Sequence, residues 1–98
     1  MLFMINYKFG EVVLVPFPFT DLTTTKNRPA IVVSSDWYNA EKKDVILSAI
    51  TSQITSPIPR DEYPLTPIDL QLSGLLKTST IKIGKIVTID KRLIRQRL

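Results

Sequence analysis

Short β-branched runs separated by turn formers leave this chain few folds to choose from. The runs are Glu11-Val12-Val13-Leu14-Val15-Pro16-Phe17-Pro18-Phe19, whose alternating prolines suit an edge or a bend, Ala30-Ile31-Val32-Val33 and Val45-Ile46-Leu47-Ser48-Ala49-Ile50. Runs of this length, closed by Gly, Pro, Ser or Asp, read as buried strands and not as helices. Thr78-Ser79-Thr80-Ile81-Lys82-Ile83 alternates polar with apolar residues, and Lys85-Ile86-Val87-Thr88-Ile89 does so again after Gly84, which predicts two half-buried strands or one strand bent at a bulge. Helix signals are confined to one turn after Ser35-Asp36 and a final turn capped by Asp90. Many short strands and little helix predict an all-β fold, a barrel or a sandwich, in one domain spanning residues 1–98.

The second run is preceded by Asn27-Arg28-Pro29. Pro29 suits the first position of a strand, where its missing N–H costs no ladder bond, and it holds the preceding residue extended. Arg28 is thereby expected at a strand mouth, where a planar, always-charged guanidinium is well placed to hold a phosphate. A similar placement is expected for Thr51-Ser52-Gln53, which follow directly on the third run. The simplest alternative there is a turn closed by side-chain hydrogen bonds. Thr20 to Asn27 has no apolar periodicity and reads as a polar loop, and Ile54 to Tyr63, with Pro57 and Pro59, as a long exposed one. Phe17 and Phe19 share a face and read first as core or rim residues, with base stacking the less favoured use. Trp37 is expected to pack onto the sheet. Tyr63 to Leu72 reads as weakly extended, restricted to an edge by Pro64 and Pro67.

Composition narrows the chemistry. There is no histidine and no cysteine, which removes Ser-His-Asp triads, histidine or thiolate metal sites, and paired-histidine acid–base catalysis. Any catalysis must come from Arg, Lys, Tyr, carboxylates or hydroxyls. Thirteen Lys and Arg against nine Asp and Glu, a formal net charge of +4, suit a polyanionic partner. No run is long enough to cross a membrane. Met1-Leu2-Phe3-Met4-Ile5 lacks the basic leader and cleavage site of a signal peptide, so a cytoplasmic location is expected.

Taken in order, Gly10-Glu11-Val12-Val13-Leu14-Val15-Pro16-Phe17-Pro18-Phe19, Arg28-Pro29-Ala30-Ile31-Val32-Val33-Ser34, Trp37-Tyr38-Asn39, Ala49-Ile50-Thr51-Ser52-Gln53 and Ile86-Val87-Thr88-Ile89-Asp90 resemble the MazF/PemK family of toxin endoribonucleases from bacterial toxin–antitoxin modules. The resemblance implies an SH3-like β-barrel of the MazF/CcdB type, a homodimer, metal-independent cleavage of single-stranded RNA, and neutralisation by a cognate antitoxin. It places Arg28 at the family's catalytic arginine and Thr51 at its active-site hydroxyl. Arginine hardly ever loses its proton, so stabilising charge on the phosphorane oxygens is the role expected of Arg28. RNA contacts are expected from Phe19, Lys26, Asn27, Ser52, Gln53, Lys77 and Thr78. Some relatives carry an acidic residue near the position of Gly84, which leaves the base unassigned; Asp21, in the first loop, is a candidate. Relatives usually continue into another helix beyond the position of Leu98. Two other readings fit the same pattern: an SH3-like binding module or decayed toxin that only binds antitoxin, and a gyrase poison of the related CcdB type.

Overall fold

The computed structural model describes residues 6–16 and 26–98. Phe17, Phe19 and Asp21 lie outside the described residues, so the expectations placed on them have no structural counterpart. In chain order the elements are β1 (Val12–Pro16), β2 (Asn27–Val32), α1 (Asp36–Glu41), β3 (Asp44–Thr51), β4 (Glu62–Pro64), α2 (Pro67–Ser73), β5 (Thr80–Asp90), a 3₁₀ turn (Lys91–Leu93) and β6 (Gln96–Arg97). The strands form one six-stranded sheet in the order β4-β5-β3-β2-β1-β6, antiparallel at every pairing. The expectation of an all-β chain with short helices is met.

The period of two decides what is buried. Val13 and Val15 in β1, Ala30 and Val32 in β2, and Val45, Leu47 and Ala49 in β3 are all fully buried, and Ile89 and Tyr7 join them in one core. Each aliphatic side chain taken fully from water contributes about 1.5–3 kcal/mol. β-Branched residues hold the extended backbone with little rotamer freedom to lose, so local preference and core burial favour the same conformation. Leu98 lies against Gly74, the residue that ends α2. Chain beyond β6 therefore meets the turn after α2, an arrangement compatible with an SH3-like barrel.

Three local expectations are corrected. Tyr63 to Leu72 is not a continuous edge strand: β4 ends at Pro64, and α2 begins at Pro67. Proline is tolerated in the first helical turn, where its N–H has no partner to lose. Thr66 caps the helix, its hydroxyl accepting the Asp69 N–H (3.1 Å) while the Asp69 carboxylate accepts the Thr66 N–H (2.9 Å). Trp37 does not pack onto the sheet but is 62% exposed. The buried residue of α1 is Asn39, two positions on, and two residues on a helix point in nearly opposite directions. Pro29 is third in β2, not first, because Asn27 and Arg28 ahead of it still pair with β1.

Candidate functional site

Backbone direction in β2 explains where the sheet opens. The Val32 N–H donates to Glu11, on the β1 side (2.8 Å), and the Val33 N–H donates to Ile46, on the β3 side (2.9 Å). Alternation then turns the nitrogen of Pro29 towards β3, where it has no hydrogen to give. The β2–β3 ladder accordingly stops at Ala30↔Ala49. Beyond that point β2 remains paired to β1 through Pro29, Arg28 and Asn27, while β3 remains paired to β5 through Ile50 and Thr51. The two strands part, and Arg28 and Thr51 are the residues that continuing the register would have set opposite each other.

A cleft of about 660 Å³ occupies this opening, a volume typical of ligand sites. Arg28 and Pro29 form one lip, and Ile50, Thr51, Ser52 and Gln53 the other. By the period of two, Arg28 continues the face of Ala30 and Val32, and Thr51 that of Leu47 and Ala49, so both extend the core face past the end of the core. The Thr51 hydroxyl oxygen accepts the Gln53 N–H (3.1 Å). An oxygen that accepts in this way still has its own proton to donate, so turn closure and ligand binding are compatible uses of one hydroxyl.

Leu75, Leu76 and Lys77 from the turn after α2 also line the cleft, as does Leu98. Lys82 and Lys85 come from β5. Residues three apart on a regular strand face opposite sides, yet both lysines line the cleft. An irregularity in β5 accounts for this: Ser48 pairs with Ile86 and Ala49 with Lys82, leaving Ile83, Gly84 and Lys85 outside the β3–β5 ladder. The nearly buried Ser48 hydroxyl donates to the Lys82 carbonyl (2.8 Å), and the Asp61 carbonyl accepts the Ile83 N–H (3.0 Å), so the irregular backbone is held from both sides.

Of the residues singled out from the sequence, Arg28, Thr51, Ser52, Gln53 and Lys77 come together in the cleft. Lys26, Asn27 and Thr78 are exposed and are not among its lining residues. Lys82 and Lys85 were missed; the only signal was the polar–apolar alternation around Gly84, which points to a bulge without saying where it turns its side chains. Among the described residues, Arg28, Lys77, Lys82 and Lys85 put four cations on the cleft, and no Asp or Glu lines it. Such a site suits a ligand carrying several phosphates on an apolar-faced frame. Among the described residues no group of three or more His, Cys, Asp or Glu side chains could hold a metal ion, and no helix is long and apolar enough to cross a membrane.

Comparison with solved structures gives an endoribonuclease from a mycobacterial species, at 22% identity and a TM-score of 0.73, covering 99% of this chain and 77% of that one. A second is an endoribonuclease in complex with its cognate antitoxin, also from a mycobacterial species, at 20% identity and a TM-score of 0.70, covering 93% of this chain and 75% of that one. Both are likenesses of fold. No curated protein matches the sequence significantly. The family model described as PemK-like, MazF-like toxin of type II toxin–antitoxin system matches residues 8–98. That span takes in every strand and both lips of the cleft, and the chain belongs to this family of toxins.

Proposed function

We propose that the chain is an endoribonuclease that cuts single-stranded RNA in the cleft between β2 and β3, without a metal, and that a cognate antitoxin neutralises it. The observation that carries this reading is the parting of the strands at Pro29, which sets the Arg28 guanidinium and the Thr51 hydroxyl on facing lips of a cationic cleft. In the reaction the ribose 2′-oxygen attacks the adjacent phosphorus and the bond from phosphorus to the 5′-oxygen breaks. The 2′-hydroxyl gives up its proton, the departing 5′-oxygen gains one, and the products are a 2′,3′-cyclic phosphate and a 5′-hydroxyl. Arg28 stabilises the negative charge that builds on the phosphorane oxygens. A donor held in place before the charge develops is worth on the order of 10²–10³ in rate. Thr51 donates its proton to a non-bridging oxygen and fixes the phosphate against the lip.

Ser52, Gln53 and Lys77 contact the RNA around the scissile phosphate. The two solved neighbours named endoribonucleases support the activity, and the one solved with its antitoxin supports the partner. A homodimer in the cytoplasm, where RNA is the available polyanion, completes the reading. The test is cleavage of single-stranded RNA by the purified protein in EDTA. Arg28→Ala is expected to abolish cleavage and, because Arg28 is exposed, to leave thermal unfolding nearly unchanged. Equal rates in variant and parent refute the assignment.

A further inference from the structure

Lys82 is held by Glu62 as well as by its own backbone. Glu62 begins β4 and lies in register with Lys82 on β5. One carboxylate oxygen accepts the hydroxyl of fully buried Thr80 (2.8 Å), and the other accepts from the Lys82 ammonium (3.2 Å). The Glu62 side chain is only 9% exposed, the Lys82 side chain 31%. Thr80 thus fixes one oxygen of the carboxylate from within the sheet, and the other oxygen holds an ammonium at the cleft wall. Lysine carries three donors, and one of them is directed to Glu62. A solvated lysine would sample many rotamers and lose that freedom on binding a phosphate; this one has already lost much of it.

We propose that Glu62 is a positioning residue of the RNA site, which holds Lys82 pre-oriented to take a backbone phosphate next to the one that is cleaved. Glu62 itself does not line the cleft and touches no substrate; it acts through Lys82. This rests on the ribonuclease reading, and it adds to that reading a second phosphate subsite on the β5 side, opposite the lip that carries Arg28.

The test uses the whole chain, single-stranded RNA for cleavage, and a 2′-deoxy oligonucleotide, which lacks the attacking hydroxyl, for binding. Glu62→Gln keeps the shape and removes the charge. It is expected to raise KM, and to weaken binding of the 2′-deoxy oligonucleotide, by about tenfold, with kcat changed far less, because a Lys82 released from its carboxylate must give up its rotamer freedom when it binds the phosphate. Lys82→Gln is expected to do the same, and adding Glu62→Gln to it is expected to change nothing more. Independent effects that multiply in the double variant overturn the proposal. Lys82→Gln also carries a measurement that does not depend on Glu62→Gln folding: the slope of log affinity against log salt should fall by about 0.7, the value for one phosphate contact on a single strand. An unchanged slope overturns the subsite. A protein that shows this coupling in binding but cuts no RNA upholds the positioning role and refutes the cleavage; one that cuts RNA without the coupling does the reverse.

Discussion

Gly74 joins the stability of the fold to the shape of the cleft, and replacing it with alanine separates two costs that usually come mixed. It ends α2 with φ of 79°, the left-handed region. A side chain there costs about 1–2 kcal/mol for the backbone conformation alone. A Cβ at this position would also stand 2.5 Å from the carbonyl carbon of Leu98. Backbone would have to retreat by roughly 1 Å to restore ordinary carbon contact. The retreat is resisted by the Leu98 N–H to Val12 (3.0 Å) and the Arg95 N–H to Leu14 (2.8 Å), and between them Arg97 anchors β6 through its pairing with Val13, its ion pair with Glu11 and its guanidinium over the Tyr7 ring (4.6 Å). A retreat confined to the end of the chain breaks the two backbone hydrogen bonds of Leu98 and Arg95, at about 1 kcal/mol each, so the displacement costs about 2 kcal/mol. Gly10 supplies the control, since its φ is 86° but nothing lies within 4 Å of the added Cβ. Gly10→Ala should therefore lose about 1–2 kcal/mol and Gly74→Ala about 2 kcal/mol more. At roughly 4–8 °C per kcal/mol for a domain of this size, the two Tm values should differ by about 8–16 °C. Hydrogen exchange should show protection lost at Leu98 and Arg95 in Gly74→Ala alone. Equal Tm losses in the two variants, with exchange at Leu98 unchanged, would refute the contact between Gly74 and Leu98.

Other tests bear on single contacts. Thr66→Ala removes the hydroxyl that caps α2 and should cost about 1 kcal/mol in denaturant unfolding. Asn39 is fully buried, its amide donating to the Ser34 carbonyl (3.1 Å) and its oxygen accepting the Ser34 hydroxyl. Asn39→Ala leaves those groups without their partner and should cost about 1–3 kcal/mol by the same measurement. Acid should destabilise the protein through three carboxylates whose pKa values are lowered in the folded state: Glu62, chiefly by the Thr80 hydroxyl, Asp69, chiefly by the Thr66 N–H, and Asp90, chiefly by the Arg92 side chain. With folded values below unfolded ones, the unfolded chain binds more protons, so this stabilisation is present above the ordinary carboxylate range and lost as pH falls through the folded values. Tm should be level near neutrality and drop in acid, less steeply for Glu62→Gln than for the parent.

The core strands were legible because their signal is local and doubled: β-branched residues prefer the extended backbone, and alternate positions supply the core. Arg28 and Thr51 were legible for a related reason, since a strand end is visible in one sequence segment at a time. That they face each other was not, because it depends on the register of β2 against β3 and on which way the Pro29 nitrogen points. The segment after Tyr63 was misread where two rules compete. Pro64 and Pro67 argue against a central strand, but Pro67 in a first turn, with Thr66 before it and Asp69 three residues after Thr66, also starts a helix. The capping pair was the deciding signal, and it outweighs the prolines because it satisfies two backbone donors. Lys82 and Lys85 lay beyond local reading altogether. Their common direction comes from residues that leave the ladder between Ser48 and Ala49, held by a serine 34 positions away in the chain from the carbonyl it binds. A site assembled at strand ends can thus be found residue by residue, whereas side chains redirected by a bulge become visible only once the sheet is paired. On this reasoning Ser48→Ala should disturb the cleft more than the core: the lost bond frees the Lys82 carbonyl, and the expected result is weaker oligonucleotide binding with a stability loss of only about 1 kcal/mol. Unfolding changed more than binding would place Ser48 with the core instead.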